Sequence, residues 1–415
     1  MTPRRRWVAA GIAVLSVLLT ACGGGSGGGS GSGGNATIEF ATQGLGSEGD
    51  ASKAAVAAFE KANPKIHVNI LTLSSKSDEA YQQLTQRFIA GSSTPDVITS
   101  DVIWPATFAK SGWIMPLDKF NPKKSDFFNG QIQGATYKGK LYGMPWFINA
   151  QGLYYRTDLM PQAPTTPQQV VTMAKQAMAK DPSIKTGFAF AGDKYEGVVT
   201  TFLCIAAGFG GSLDLKHIDS SQNVQALTYM KNLIYQDGVT PQGATSWQEP
   251  NLEQAFLSGQ AAMALNWPYV FSEAEAANSQ VKGKTGWVPF PSTKSPKAAL
   301  GGDDLLINAK SKNADAAYKF ISYLTSQKAQ IARALAAGDP PALKSAYTQE
   351  LYSKAPYFKD EQKVYAVVSP RPVTPDYPKV SDALQTQLNA ALTNQKSPQA
   401  ALTAAQQQIN QIGNG

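Results

Sequence analysis

The sequence predicts an α/β protein of two lobes, and three observations predict it. From residue 36 on, extended and helical apolar patterns alternate, an order that implies parallel strands with helices on both faces. That stretch runs to roughly 380 residues, beyond the 250–300 or so at which a single hydrophobic core stops growing. Between Leu141 and Arg156 (LYGMPWFINAQGLYYR) a buried strand meets Pro145, whose ring removes a backbone donor and pushes the preceding residue extended, so a crossover between lobes is expected there. Past it Trp146, Phe147 and Asn149 stand together before an extended run through Leu153, Tyr154 and Tyr155. Ligands commonly bind at such seams. An ordinary edge strand with proline at its start accounts for the same residues, and the stretch by itself leaves both open.

The chain opens on an address. Arg4, Arg5 and Arg6 precede an apolar run from Trp7 to Leu19, followed by Thr20, Ala21 and Cys22. These are the charged region, apolar region and small residues of an export signal. The run is well short of the roughly 20 residues a membrane-spanning helix needs. Leu-Thr-Ala-Cys resembles a bacterial lipobox, which implies cleavage after a signal peptide of residues 1–21 and a diacylglycerol on the Cys22 sulfur. Only glycine and serine occupy Gly23 to Gly34, so residues 22–35 form a flexible tether reaching roughly 20 Å. The expected location is extracytoplasmic, on the outer face of the cell membrane.

Taken in order, Ile38 and Phe40 alternate in a first strand, and Val56 and Phe59 stripe a helix that stops at Asn63 and Pro64. Ile66, Val68 and Ile70 alternate again, Tyr81, Leu84 and Phe88 recur at helical spacing up to Gly91, and 96–99 is a buried-strand candidate. This βαβαβ order places binding residues in the loops beyond the strands' carboxyl ends. Two loops qualify: 43–50 (QGLGSEGD, with Gln43 and Glu48) and 100–104 (SDVIW, with Asp101). An acid in a loop is more often simply solvated. Farther on, 187–190 reads as a strand, Leu227, Met230 and Ile234 line a helix ending at Gly238, and Leu252 and Phe256 line another ending near Gly259. The strand 261–265 delivers Asn266, Trp267, Pro268 and Tyr269 into a loop. Gly301 to Asp304 reads as a turn before a strand over 305–308, and 314–324 as a helix. The rest is mostly helical, broken at 369–378 (SPRPVTPDYP), where four prolines forbid a helix and hold Arg371 and Tyr377 on a stiff segment.

Composition narrows the function. The formal charge of +7, from 37 Lys+Arg against 30 Asp+Glu, falls to +4 when the three leader arginines go, and no basic block with interleaved aromatics appears. Nucleic acid is therefore not an expected partner. Cys204 is the one cysteine besides Cys22; lying in an apolar helical pattern, it reads as a packed thiol, with no intrachain disulfide and no cysteine metal site. His67 and His217 are the only histidines, neither in a metal spacing nor in a Ser/His/Asp order, and no phosphate-cradling loop is present. A glycosidase needs two carboxylates about 5–10 Å apart across one bond. Asp303 and Asp304 are the tempting pair, but neighbours on a strand point to opposite faces. No catalytic residue, metal or cofactor is expected.

The lipobox, TPDVITSDVIWPATFAKSGWIMPLDKF, YGMPWFINAQGLYYRTDL, AFLSGQAAMALNWPYVF, GGDDLLINAKSKNADAAYKFISYLTS and RPVTPDYPKVSDALQ together resemble a family 1 extracellular solute-binding lipoprotein, within it the trehalose/maltose-binding branch. Any one block is weak, whereas all of them in one order are specific. The resemblance implies a periplasmic-binding-protein-like fold of type II, each lobe a mostly parallel sheet flanked by helices, with the ligand between them. It implies residues 36–146 with 300–352 as the first lobe and 147–299 with 353–415 as the second. It also implies a monomer that hands a neutral disaccharide to an ABC permease driven by a separate ATPase. Carried over by motif, the binding residues are Glu48, Asp101, Asn149, Trp267, Tyr269, Gly302, Asp303 and Arg371, joined by Gln43 from the first loop and Trp146 from the crossover. Trp267 and Tyr269 compete for the stacking role.

These residue types suit a sugar. Aromatic rings cover its apolar C–H faces, and carboxylates, amides and a guanidinium pair with adjacent hydroxyls through bonds that, when charge-assisted, are roughly twice as strong as neutral ones. A glycerol phosphodiester or another oligosaccharide is the alternative ligand. A phosphate would call for more Arg or Lys than three acids against one arginine. Packing accounts as readily for a lone Trp, and a surface pair with Asp376 for Arg371.

Overall fold

A computed structural model describes residues 35–413 except 45–46, 293–298, 366–367 and 369. The export signal, Cys22 and the Gly/Ser tether lie outside the described residues. Eleven strands are found among the latter: β1 Ala36–Thr42, β2 Ile66–Thr72, β3 Val97–Asp101, β4 Thr136–Tyr137, β5 Lys140–Leu141, β6 Gly143–Ala150, β7 Gly152–Arg156, β8 Thr186–Ala189, β9 Ala261–Asn266, β10 Thr285–Val288 and β11 Leu300–Ile307. Five form one sheet in the order β2-β1-β3-β11-β6, four form a second in the order β10-β7-β9-β8, and β4 and β5 pair by themselves. The two large sheets, each flanked by helices, are the centres of the two lobes.

The predicted βαβαβ start is found. Strand β1 runs parallel to β2 and β3, and the helices Glu48–Ala62 and Ser77–Ile89 connect them. The first helix carries Glu48 and Asp50 in its first turn and Lys61 in its last, which suits the helix dipole. It buries Val56 and Phe59 and stops at Asn63, before Pro64. Each sheet is mostly parallel, with one reversed strand. In the first, β11 runs antiparallel to both β3 and β6, so β2, β1, β3 and β6 share one direction; in the second, β7 runs antiparallel to both β9 and β10, and β8, β9 and β10 share one direction. The reason in the first sheet is connectivity: β6 carries the chain out of the sheet, β11 brings it back beside β6, and so the two point in opposite directions.

Pro145 does not end a strand. Residues 143–150 are one strand buried throughout, and the chain leaves the sheet only after Ala150. The register between β6 and β11 slips between Asp303 and Asp304, which face Phe147 and Pro145, so Trp146 is the extra residue of a bulge. A bulge is one of the few places where a sheet tolerates proline, because the local ladder is already interrupted. Gly301 to Asp304 is likewise not a turn but the first half of β11. Gly302 sits at φ +100°, and a Cβ there would lie 2.3 Å from the Phe147 carbonyl oxygen, so only glycine fits.

The second lobe packs around the helix Glu196–Gly208, of which all but Leu203 is buried. Cys204 within it is fully enclosed, and burial pushes its thiol up to about 12. The tail divides. The helices Tyr377–Leu392 and Pro398–Gly413 pack into the second lobe's core through Leu384, Leu388, Leu402 and Ile409. Leu351 and Phe358, by contrast, pack on Ala334 of the helix Gln327–Ala337. Pro378 falls inside the helix that was expected to begin after it, since the first turn has no use for that N–H. Among the described residues no helix is long and apolar enough to cross a membrane.

Replacing Gly302 by Ala should cost about 2–3 kcal/mol of stability, from a strained positive φ together with the clash on Phe147. Denaturant unfolding measures it, and an unchanged midpoint would mean that β11 is free to relax.

Candidate functional site

A cleft opens between the two sheets. Its walls come from residues at or past the carboxyl ends of β1 (Gln43, Glu48), β2 (Ser75, Ser77), β3 (Asp101) and β9 (Trp267), as expected for open α/β sheets. Phe147 and Asn149 from β6 and Gly301, Gly302 and Asp303 from β11 complete one side. Tyr195, Glu196, Gly197, Thr200, Glu249 and Arg371 complete the other. Eight of the ten expected residues therefore meet here: Gln43, Glu48, Asp101, Asn149, Trp267, Gly302, Asp303 and Arg371.

Trp146 and Tyr269 do not. Trp146, 2% exposed, is thrown by the bulge into the core of the first lobe, where it packs edge-on to Phe40 and lies 4.0 Å beneath the Arg333 guanidinium. Tyr269, 1% exposed, starts the helix Tyr269–Ala274, and its hydroxyl donates to Glu253 Oε2 at 3.1 Å. Of Trp267 and Tyr269, Trp267 is thus the one that reaches the cleft, beside Phe147 and Tyr195. Asp303 faces it, whereas Asp304 is fully buried against Gly143 on the far face, both its oxygens without a hydrogen-bond partner. Burial pushes the Asp304 carboxyl well up, with Asp303 and Asp101 adding to it.

Arg371 pairs not with Asp376 but with two cleft acids. Its Nη1 donates to Glu196 Oε1 and its Nη2 to Asp101 Oδ1, each at 2.6 Å. Glu196 also accepts from the hydroxyls of Tyr377, at 2.8 Å, and Ser381. Burial raises the Glu196 carboxyl although Arg371 opposes it, and the two acids raise Arg371 despite its burial. Asp376 instead lies 3.6 Å from both Lys110 and Lys379.

Glu196 and Glu249 were not foreseen, yet a signal was available. Three helices begin at the cleft, at Glu48, Glu196 and Glu249, and each has glutamate as its first residue. A helix N-terminus carries partial positive charge that favours a carboxylate. The shared signal is a glutamate opening a helix; the helix follows a strand for Glu48 and Glu196 and the 3-10 turn Gln242–Ser246 for Glu249. Ser75 and Ser77 follow β2 in the stretch LSSKS, which offers no acid, amide or ring to single it out.

The cleft carries five carboxylates and one guanidinium, and that guanidinium is already bonded to two of the five. Asn149 Oδ1, an acceptor, and Arg371 Nε, a donor, are both buried without a hydrogen bond. Such a surface can bind a molecule rich in hydroxyls, which donate to carboxylates and accept from Arg371 at once. Among the described residues no group of three His, Cys, Asp or Glu is placed to hold a metal ion.

A family model for bacterial extracellular solute-binding proteins matches residues 44–331. A probable ABC transporter-binding protein of Deinococcus radiodurans is 30% identical over 397 residues, covering 91% of this chain and 93% of that protein. The maltodextrin-binding protein MdxE of Bacillus subtilis is 24% identical, covering 85% and 84%. Among solved structures, maltose-bound T. maritima MalE3 superposes with a TM-score of 0.86 at 34% identity, covering 90% of this chain and 99% of that one. The GacH receptor of Streptomyces glaucescens shares the fold with a TM-score of 0.82 at 24% identity, covering 91% and 98%.

The carboxyl of Asp303 is pushed up from 3.8 to about 7, by burial first and by Asp101 second, with Arg333 opposing. Between those two values the folded protein keeps a proton that the unfolded chain has released, so this group's contribution to stability falls as pH rises through that window. Glu361, raised to about 8 by burial, acts in the same direction elsewhere in the molecule. Asp303→Asn should therefore melt progressively higher relative to the unmodified protein as pH goes from 4 to 7.5. A difference that does not change with pH would show that Asp303 ionises freely in the cleft.

Proposed function

Because this chain belongs to the bacterial extracellular solute-binding proteins, which are ABC-transporter components and not enzymes, we propose that it binds a neutral, α-linked glucose disaccharide of the maltose or trehalose type in the interlobe cleft and delivers it to a membrane permease. The observation that carries this reading is the makeup of the cleft: one indole, Trp267, among acceptors and donors drawn from both lobes, with its single arginine held by Asp101 and Glu196. A sugar ring offers an apolar face to the indole and hydroxyls to the rest. The likeness to maltose-bound MalE3 supports the same class. A phosphodiester is disfavoured, because five carboxylates would face its charge across a guanidinium already neutralised twice over.

In this reading Gln43, Glu48, Asp101, Asn149, Asp303 and Arg371 hold the hydroxyls, Gly302 lets the backbone approach, and Trp267 covers one ring. The lobes close about the links near Gln151 and Leu300. The protein works as a monomer outside the cytoplasm, held to the membrane by lipidated Cys22 and the Gly/Ser tether.

Calorimetric titration with trehalose, maltose, sucrose, maltotriose and glycerophosphocholine should give heat with an α-linked glucose disaccharide and no free glucose over hours. Heat with the phosphodiester alone would reject the proposal. Trp267→Ala should weaken binding about thirtyfold, equivalent to roughly 2 kcal/mol for an aromatic at the centre of a site, with the sugar-free melting temperature unchanged. Unaltered affinity would remove Trp267 from the site.

A further inference from the structure

Trp267 is held at several points, and none of the holding groups is assigned to the ligand in the proposal above. Its Nε1–H donates to Glu249 Oε1 at 3.3 Å. Its backbone carbonyl accepts from the Tyr154 hydroxyl at 2.9 Å, and its backbone N–H donates to Asn266 Oδ1 at 2.8 Å. The far edge of the ring rests on Gly301, where a Cβ would come within 2.6 Å of Cζ3 and 3.0 Å of Cη2. Glu249 is held in turn: the Tyr195 hydroxyl donates to its Oε2 at 2.5 Å, and the Tyr195 ring lies so close over Gly197 that a Cβ there would fall 2.1 Å from it. Gly197, Tyr195, Glu249, Trp267 and Gly301 form one continuous run along the cleft wall.

An indole has two side-chain torsions, and a hydrogen bond at one end with a close seat at the other fixes both. A ring fixed in advance leaves less conformational freedom to be lost on binding, which raises affinity without any new contact to the ligand. We propose that Glu249 is a positioning residue for ligand recognition, its carboxylate holding the Trp267 indole so that the ring face offered to a sugar is preset. The affinity side of this inference rests on the saccharide reading above; the placement of the ring does not.

Two measurements on the purified protein test it. In the first, 5-fluorotryptophan is incorporated and the resonance of Trp267 is identified by its loss in Trp267→Phe. In sugar-free protein Glu249→Ala should shift or broaden that resonance and leave the other tryptophans in place. Glu249→Gln, whose amide oxygen still accepts from the indole and whose amide N–H donates to Tyr195, should leave it unmoved. An unmoved resonance in Glu249→Ala overturns the proposal, as does a general loss of dispersion with a lowered melting temperature, which would make Glu249 a folding residue.

In the second, dissociation constants for the disaccharide are compared in a cycle. Glu249→Ala should weaken binding about fivefold to tenfold, Glu249→Gln less than about twofold, and Glu249→Ala with Trp267→Ala no more than about twofold beyond Trp267→Ala alone. Losses that multiply in the double variant would mean that Glu249 meets the ligand by itself and overturn the positioning role. If no saccharide binds the unmodified protein, the functional reading fails, while the fluorine measurement still decides the placement of the ring.

Discussion

Arg371 is the interaction on which the cleft depends. Its guanidinium, 3% exposed, joins Asp101 at the end of β3 to Glu196 at the start of the second lobe's central helix, and so touches both lobes. Taking three charged groups out of water is costly, and the arrangement holds because each charge has a close partner; removing one partner of a buried pair commonly costs about 3–5 kcal/mol. The proline-rich segment makes this possible. Pro370 and Pro372 flank Arg371 and restrict its backbone, so little conformational freedom remains to be lost when the side chain reaches inward. Tyr377 and Ser381, on the helix that follows, fasten the same glutamate from behind.

Electrostatics explains how so many acids share one space. Three of the five carboxylates open helices, where backbone N–H groups supply compensating positive charge. Burial works the other way on Glu196, Glu249 and Asp303, raising each above its ordinary range. A ligand that brings hydroxyl donors favours the charged form of each.

The strands that link the lobes show how glycine and proline are used. Pro145 sits at a bulge, Gly302 takes a backbone conformation closed to other residues, and Gly301 makes room for an indole from the opposite lobe. Pro145 and Gly302 depart from the regular ladder beside the site, and Gly301 lines it. Such local departures are expected where a site overrides the rules of regular structure.

Periodicity made most elements legible: the opening βαβαβ, the helices over 314–324 and 221–235, and the strand into Asn266 all follow from which residues a local stretch must bury. Strand-end position made much of the site legible too, since Asp101 ends a strand and Gln43 and Trp267 lie just past strands. Local pattern could not say that Trp146 turns into the core, that Tyr269 is buried while Trp267 faces the cleft, or that Glu196 and Glu249 join the site. A bulge shifts the side-chain alternation by one, and whether it forms depends on β11, more than 150 residues away in sequence. The sequence by itself determined the α/β class, the main elements and the pool of residues a site could draw on, because burial on a helix or strand repeats over short distances. Only the tertiary structure decided which of them meet. The partners of Arg371 lie 175 and 270 residues away, and nothing local encodes a contact that exists only once two sheets have been brought face to face.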